Sequence, residues 1–487
     1  MKLPILYPFI SGLTVQDLVS SNEVIAPFSL EPYALLSETS ESNVNKAVQS
    51  AHEAYQRHRK TPLSTRVQWL NNAASEIEKH LPELIDMLIQ DIGKPRKAST
   101  FEANRSAAFL RSTASEALSL RGETIPVDSL PAGSGRMGFT KRHPYGVVAG
   151  ITPFNAPINL LVQKVAPALI AGNSIVIKPH PSAARIALKI AEIFNTSGLP
   201  SGLFNVITGD RNPATQLVAN PLVMAVTFTG GTIAGDALVR AAGAKKFLAE
   251  LGSNAANIVL ADADLEDASK KIASAAFEAS GQQCISAQRI IVEESVYDQF
   301  LSCFIAATKA LKVGDPSDES TDIGPMVSLQ TANRVMAMVA DAKKRSLTIA
   351  LEPVQNGCTV SPGIISHPSA DSSIWRDEVF GPLATVASAK NSDEALKMAN
   401  DSEFGLQGSI FTRSLKEALR FSDDFEVGSL WVNEASRFRL DMYPFGGSKR
   451  SGCVFKHQKP HPAGDGGPFQ ARRASWNPRL PSRIFGV

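Results

Sequence analysis

Cysteine is scarce in this chain of 487 residues, which contains only Cys284, Cys303, Cys358 and Cys453. The four lie far apart and form no C-x-x-C pair, which argues against both a disulfide scaffold and a zinc site. Because unpaired thiols persist in reducing compartments, we expect a cytoplasmic protein that needs no metal.

The chain also lacks an excess of charge of either sign and a long apolar run. Its 49 Lys and Arg residues nearly balance 47 Asp and Glu residues, and this balance disfavours nucleic acid or a membrane surface as the main partner. No stretch reaches the ~18 continuous apolar residues that span a bilayer, and the N-terminus has no signal-peptide pattern. We therefore expect no nucleic-acid partner and no membrane partner.

The chain does have length and alternating periodicity. With 487 residues it should form two or three domains. Residues 43–58 and 65–93 place apolar side chains three and four apart, which predicts amphipathic helices. Residues 122–141 are punctuated by Gly and Pro and predict a hairpin that extends from the main body.

From residue 146 onwards, short apolar runs alternate with helical segments. The predicted strands are 147–152, 174–179, 204–209, 225–230 and 245–252. This pattern is typical of a parallel sheet buried on both faces, and right-handed crossovers then give a doubly wound, Rossmann-like α/β domain. A second α/β block follows from near residue 255, and the Pro-, Gly- and Arg-containing tail after residue 452 predicts a loop-like or poorly ordered extension.

Three polar residues are candidates for chemistry. Cys284 in GQQCISAQR could be a nucleophile, Glu250 at the end of a predicted strand a general base, and Asn155 in the rigid turn TPFNAP an oxyanion donor. Taken singly, each fits an ordinary structural role better, as a buried thiol, a surface carboxylate or a turn asparagine. The glycines of FTGGTIAG suit a helix N-terminus that approaches phosphate, although they do not form G-x-G-x-x-G.

The joint order of the motifs changes this balance. Over residues 40–452 the sequence contains, in turn, TPFN, IVIKP, FTGGT, ELGSNAANIVL, GQQCISAQR, EVFGP and PFGGSKRSG. This series resembles the aldehyde dehydrogenase superfamily in order and in spacing. The resemblance implies an α/β protein with a Rossmann-like doubly wound cofactor domain, a second α/β catalytic domain and a small β extension for oligomerisation. The implied ranges are 1–121 with 142–250 for cofactor binding, 251–430 for catalysis, and 122–141 with 431–487 for oligomerisation, the last including the atypical tail.

The resemblance also implies residue roles. Cys284 would attack a small aldehyde, Asn155 and the Cys284 backbone N–H would hold the oxyanion, and Glu250 would activate the water that hydrolyses the thioester. Lys178 and Glu378 would hold the two cofactor riboses, with Phe380 beside the nicotinamide. The full set of expected cofactor contacts is Thr152, Pro153, Phe154, Lys178, Gly209, Phe228, Thr229, Gly230, Thr232, Gly235, Leu251, Gly252, Glu378 and Phe380.

The cofactor form and the substrate stay open at this point. Many NAD-preferring members carry a glutamate where this chain has Pro181, so either NAD or NADP is expected, with His180 as a further contact for a 2′-phosphate. The sequence is similar to the lactaldehyde and phosphonoacetaldehyde branch. An anionic substrate would then meet Arg105, Arg289 or Arg439, unless these form structural ion pairs.

Two alternatives to a hydrolytic dehydrogenase remain. One is a CoA-acylating semialdehyde dehydrogenase, although members that release acyl-CoA usually lack the glutamate that matches Glu250. The other is a catalytically silent structural or binding protein of the same fold. The family also implies a homodimer or homotetramer, and the divergent tail casts doubt on the usual contact between subunits.

Overall fold

The structure is a computed structural model that describes residues 3–17, 20–441 and 443–453. The predicted extension after residue 452 therefore lies almost entirely outside the described residues. Within the described ranges, no helix combines the length and the apolar character needed to cross a membrane.

The helices follow the predicted amphipathic segments closely. The segment 65–93 divides into two helices at His80, and Pro82 then occupies the first turn of the second, where a missing N–H costs nothing. In chain order the helices are α1 Glu41–His58, α2 Leu63–Lys79, α3 Leu81–Ile92, α4 Arg96–Ser115, α5 Pro157–Ile170, α6 Ala184–Thr196, α7 Arg211–Ala219, α8 Thr232–Ala242, α9 Leu265–Phe277, α10 Tyr297–Lys309, α11 Leu329–Lys344, α12 Ser373–Arg376, α13 Ser392–Asn400 and α14 Leu415–Asp424.

The strands form two large sheets and several small ones. They are β1 Ile5–Leu6, β2 Phe9–Ile10, β3 Leu13–Thr14, β4 Ser21–Ile25, β5 Pro32–Ser37, β6 Thr124–Ile125, β7 Gly138–Phe139, β8 Val147–Thr152, β9 Ser174–Pro179, β10 Phe204–Val206, β11 Val223–Thr229, β12 Lys246–Glu250, β13 Ala256–Val259, β14 Arg289–Glu293, β15 Thr348–Leu351, β16 Gln355–Asn356, β17 Thr359–Val360, β18 Gly363–Ser366, β19 Leu383–Ala389, β20 Phe404–Gly405, β21 Gln407–Phe411, β22 Ser429–Val432, β23 Ser448–Lys449 and β24 Gly452–Cys453.

The first large sheet has the order β24-β12-β11-β8-β9-β10-β2-β3. Its five central strands are parallel and match the five predicted runs, which confirms the doubly wound fold. The chain starts at β8, adds β9 and β10 on one side, and returns to place β11 and β12 on the other. The strand order therefore reverses between β8 and β11, and a crevice forms at such a point beyond the carboxyl ends of the strands.

Helices cover both faces of this sheet because its strands are apolar on both sides. Val147, Ala149 and Ile151 of β8 pack with α1, α7 and α8, whereas Val148 packs with the layer of α2 to α6. The side chains alternate between faces, as the two-residue period of a strand requires. The sheet is thus fixed from both sides, and its strand ends are held in place for the site.

The second large sheet has the order β15-β18-β19-β14-β13-β21-β22, and all its strands except β15 are parallel. The predicted helix over 265–280 ends earlier, at Phe277. The residues that follow take left-handed backbone angles that a helix cannot continue through.

Two outlying segments frame these sheets. The predicted hairpin is present, with β6 antiparallel to β7, and its Met137 and Phe139 are 85% and 70% exposed. After β22 the chain leaves the second sheet and returns to the first, where β24 pairs with β12. The chain thus crosses from the second sheet to the first after β22.

Candidate active site

A cavity of about 1630 Å³ lies beyond the carboxyl ends of the central parallel strands. Thr152, Pro179, Thr229 and Glu250, the last residues of β8, β9, β11 and β12, all line it. Residues from the second sheet's loops close its other side. Ordinary ligand pockets measure roughly 300–1,000 Å³, so this cavity has room for a dinucleotide and a small second molecule.

Glu250 combines a strand-end position with a buried carboxylate. Its Oε2 atom is buried and has no hydrogen-bond partner among the described residues. Burial raises the pKa of Glu250 to about 7, while the charges of Arg439 and Lys164 act in the opposite direction. A carboxylate with a pKa near neutral is a suitable general base at physiological pH.

Cys284 lies on a loop whose backbone is strained. Ala279, Ser280 and Gly281 precede it with φ angles of 52°, 57° and 64°, left-handed values that side-chain-bearing residues rarely adopt. At Gly281 a Cβ atom would lie 2.1 Å from the Gly381 carbonyl oxygen, so the approach of these two backbones requires glycine. The Ser280 hydroxyl donates to the Gly324 carbonyl at 2.7 Å, and this bond ties the loop to the segment that contains Gly324.

The Cys284 side chain is half-buried and lines the cavity. Burial, with contributions from the charges of Glu378 and Glu250, raises the pKa of its thiol to about 12. Attack by sulfur requires the thiolate, so the thiol needs a base or an added positive charge to become reactive.

Asn155 lies in the turn between β8 and α5 and also lines the cavity. Its Oδ1 atom is buried, and no described residue forms a hydrogen bond with it. The free atom is an acceptor, so donation to an oxyanion would have to come from the Nδ2 group of the same amide.

Lys164 of α5 is a cavity residue that the sequence analysis missed. Its Nζ atom donates to the hydroxyls of Thr227 and Thr229, at 3.2 and 2.7 Å. Burial lowers its pKa to about 8, and the charge of Glu250 acts against that shift. The available signal was a lysine within the otherwise apolar segment PINLLVQKVAPALI.

The start of α8 fits a dinucleotide phosphate. Gly231 caps this helix without a side-chain hydrogen bond, and a Cβ atom there would meet nothing within 4 Å, so the start of α8 is open to the cavity that it lines. A Cβ atom at Gly235 would lie 2.5 Å from the Leu251 side chain, so glycine allows α8 to pack this close to the end of β12. The sequence pattern around these two glycines was weak, but their surroundings suit a pyrophosphate.

Groups suited to hold riboses and a nicotinamide flank that helix start. Glu378 accepts from the Ser253 N–H at 2.9 Å, and burial raises its pKa to about 7. Burial lowers the pKa of Lys178 to about 8. Phe380 has a left-handed φ of 45°, and its ring lies edge-on to Phe154 at 5.8 Å.

His180 does not supply the charge that a 2′-phosphate contact would use. Its ring lies 5.0 Å from that of Phe154, and its Nδ1 accepts from the Ser182 N–H at 3.2 Å. Burial, followed by the charge of Lys178, lowers its pKa to about 3, so the imidazole is neutral. The basic side chains of Lys178 and Arg211 also line the cavity.

Most of the predicted site residues meet at this cavity. The predicted residues that line it are Arg105, Thr152, Pro153, Phe154, Asn155, Lys178, Phe228, Thr229, Gly230, Thr232, Glu250, Leu251, Gly252, Cys284, Glu378, Phe380 and Arg439. Gly209 and Gly235 are the two predicted cofactor contacts that do not line the cavity. Gly209 has a φ of 115° and abuts Glu38, and its neighbour Asp210 lines the cavity instead.

Arg289 is a correction, because the structure does not place it in the cavity. It is 2% exposed, and its guanidinium donates to the backbone carbonyls of Asn254, Met398 and Ala399 at 2.9, 3.1 and 2.9 Å. The guanidinium also lies 5.1 Å from the Trp375 ring centroid. Its donors are thus committed to the fold, and the prediction of a substrate contact at Arg289 is wrong.

The two remaining arginines differ from each other. Arg105 forms a bidentate ion pair with Asp441, at 2.9 and 2.5 Å, so its guanidinium is already paired. Arg439 lies 4.0 Å from the Phe445 ring centroid, and its Nε is buried without a partner in the described part of the chain. Burial lowers its pKa. Arg439 therefore keeps donor capacity for a ligand.

Comparison with known proteins agrees with this geometry. The sequence matches the aldehyde dehydrogenase family over residues 15–461. The chain belongs to the aldehyde dehydrogenase family. The match begins before and ends after the predicted range of 40–452.

Individual relatives of this aldehyde dehydrogenase cover nearly its whole length. It is 41% identical to 3-sulfolactaldehyde dehydrogenase from Priestia aryabhattai, over 88% of this chain and 90% of the relative. It is 34% identical to lactaldehyde dehydrogenase from Methanococcus aeolicus, over 88% and 92%. The NADP complex of NADP-dependent glyceraldehyde-3-phosphate dehydrogenase from Bacillus halodurans superimposes with a TM-score of 0.90 and 32% identity, over 93% and 95%.

These findings confirm the predicted activity. The enzyme is an NAD(P)-dependent aldehyde dehydrogenase that oxidises an aldehyde to the carboxylic acid. The cofactor is NAD or NADP, and the similarity to sulfolactaldehyde and lactaldehyde dehydrogenases agrees with the predicted branch.

Proposed function

We propose that Cys284, Asn155 and Glu250 carry out this oxidation. The thiolate of Cys284 attacks the aldehyde carbon, and the Asn155 amide and the Cys284 backbone N–H donate to the oxyanion that forms. When bound, NAD(P)⁺ supplies a positively charged nicotinamide ring that accepts hydride from this adduct, which leaves a thioester on Cys284. Glu250 takes a proton from water, and the hydroxide that forms attacks the thioester carbon. The C–S bond then breaks, which releases the carboxylic acid and returns the Cys284 thiolate.

The observation that carries this proposal is the state of Glu250. Its carboxylate oxygen is buried without a partner, its pKa is raised to about 7, and it shares a cavity with the Cys284 thiol. A purely structural buried carboxylate would be expected to have its oxygens hydrogen-bonded. An acceptor left free beside a nucleophile suits a base that binds water.

The same observation separates hydrolysis from CoA transfer. A base that activates water is required for release of the acid, and Glu250 provides one. A CoA-acylating enzyme transfers the acyl group to CoA and does not need a base that activates water, so it would give this buried carboxylate no role. Product analysis with and without CoA distinguishes the two, since the hydrolytic enzyme releases the free acid even when CoA is present.

We further propose that the substrate is a small aldehyde with an anionic group. Arg439 lines the cavity near Glu250 and Cys284 and offers an unpartnered Nε, and a guanidinium is suited to sulfonate, phosphonate or carboxylate oxygens. The relative that is named for 3-sulfolactaldehyde, whose sulfonate is an anion, supports this choice.

The proposed cellular form is a homodimer or homotetramer in the cytoplasm. The 85% and 70% exposure of Met137 and Phe139 on the β6–β7 hairpin offers a surface for a second copy of the chain. Cys284 is a free thiol, and the reducing cytoplasm keeps such thiols from oxidation. Sedimentation velocity of the full chain should show a dimer or tetramer that Phe139→Asp weakens, and a monomeric wild-type chain would contradict this.

The first catalytic prediction concerns Glu250→Gln. The variant should form one equivalent of NAD(P)H per site and then stop, because the thioester forms but no base activates water. Rapid-mixing absorbance at the reduced-cofactor band measures the burst. Cys284→Ala should lose even the burst, with Cys303→Ala as the matched control that retains full turnover. Steady turnover by Glu250→Gln at the wild-type rate would exclude Glu250 as the base.

The second prediction concerns Arg439→Met. A lost hydrogen bond to a charged group is worth about 1.5–3 kcal/mol, which corresponds to a loss of roughly 10- to 100-fold in kcat/KM for an anionic aldehyde. A neutral aldehyde of similar size should lose far less, because it makes no ion pair. The same protein preparation assayed with both aldehydes supplies the control. Equal losses for the two substrates would show that Arg439 does not recognise the anion.

A further inference from the structure

A buried ion pair lies beneath the turn that carries Asn155. Glu102 of α4 is 2% exposed and Lys94 is 7% exposed, and the Lys94 ammonium donates to one oxygen of the Glu102 carboxylate. The other oxygen, Oε1, accepts from the backbone N–H groups of Ile158 and Asn159, at 2.8 and 3.2 Å. Glu102 therefore joins α4 to the first turn of α5.

Helix α5 depends on this carboxylate because its own start offers no cap. Its N-cap residue is Ala156, which has no side-chain acceptor, and Pro157 in the first position has no N–H. The next two amides, of Ile158 and Asn159, would be buried donors without partners. Glu102 satisfies both, and its negative charge also suits the positive end of the helix dipole.

The position of the Asn155 side chain depends in turn on the start of α5. Its Oδ1 atom has no hydrogen-bond partner among the residues described, so no neighbouring group holds the amide through its oxygen. The position of the amide then follows from the backbone of the turn, which runs from Thr152 at the end of β8 to Pro157 at the start of α5. The sheet fixes one end of this turn, and Glu102 fixes the other.

We propose that Glu102 is a positioning residue for aldehyde oxidation, which acts by anchoring the helix start that places the Asn155 amide at the oxyanion. Lys94 keeps the carboxylate paired, since a lone buried charge is costly. This inference rests on the proposed role of Asn155. Nothing in it requires Glu102 to touch the substrate.

The test removes the acceptor without leaving an unpaired charge. In a Lys94→Met background, Glu102→Gln keeps an oxygen that can accept from both amides, whereas Glu102→Leu has none. The measured quantity is the rate of NAD(P)H formation in a single turnover, with aldehyde and cofactor both saturating. A small displacement of a catalytic group can cost up to about 100-fold, so we expect the Leu variant to be about 10- to 100-fold slower than the Gln variant.

A merely structural role is separated by repeating the comparison in an Asn155→Ala background. If Glu102 acts through Asn155, the difference between Leu and Gln at position 102 should shrink to less than about threefold there, because coupled residues are not additive. A full 10- to 100-fold difference in both backgrounds would overturn the proposal, and so would equal rates for Gln and Leu with Asn155 present.

Three further measurements keep the result interpretable. Cofactor affinity should match between the Gln and Leu variants, which shows that the cavity is still formed. Glu78→Gln breaks an exposed ion pair between α2 and α4, with Arg111, and should retain the wild-type rate. Asn155→Ala alone should slow the single turnover by about 10²–10³-fold. If it does not, the proposed role of Asn155 fails, independently of Glu102.

Discussion

The burial of the Glu250 carboxylate is the constraint on which the rest of the site depends. Its carboxylate ends β12 and has a buried oxygen with no partner in the described structure. The same burial acts on its neighbours, because it raises the pKa of Cys284 and lowers that of Lys164. Burial therefore favours the uncharged forms of all three groups, and the site is poised to become charged as reactants and cofactor enter.

The fold creates this buried site through strand order. Because β8 and β11 are neighbours at the point where the order reverses, their carboxyl ends open towards one crevice, and Glu250 stands one strand further along. The second sheet contributes the strained loop of Cys284 and the segment after β22 that brings Arg439. The proposed catalytic groups thus come from strand ends on one side and from loops on the other.

Much of the fold was predictable because buried strands and helix faces are apolar, and this pattern can be read directly from the sequence. The predicted runs 147–152 and 174–179 match β8 and β9 residue for residue, because these strands are buried along their whole length. The run 204–209 is longer than β10, which ends at Val206. Cys284, Glu250 and Asn155 were ambiguous singly and became convincing through the order of the motifs around them. The order and spacing of the motifs identify the family, and family membership implies that these residues meet at one site. A single residue considered alone does not give this information.

The failures have equally physical causes. Whether an arginine faces a ligand depends on which carbonyls surround it, and Arg289 is satisfied by residues 35 to 110 positions away. Glu102 and Lys164 were missed because each lies within a helix. The spacing of apolar residues in a helix shows which face is buried but not which polar side chains make specific contacts. The bond from Glu102 to Ile158 spans 56 residues, a distance that periodicity does not encode.

The pH dependence of acyl-enzyme breakdown tests the central claim most directly. The proposed base is the deprotonated Glu250 carboxylate. A pKa raised to about 7 then means that activity is complete above this pH and is lost as the pH falls through it. Rapid-quench measurement of thioester loss should show a rate that falls about tenfold per pH unit well below pH 7, because the fraction of free base falls in that proportion. A rate that stays constant from about pH 8 to about pH 5.5, as an ordinary carboxylate with a pKa of about 4.3 would give, would contradict the account.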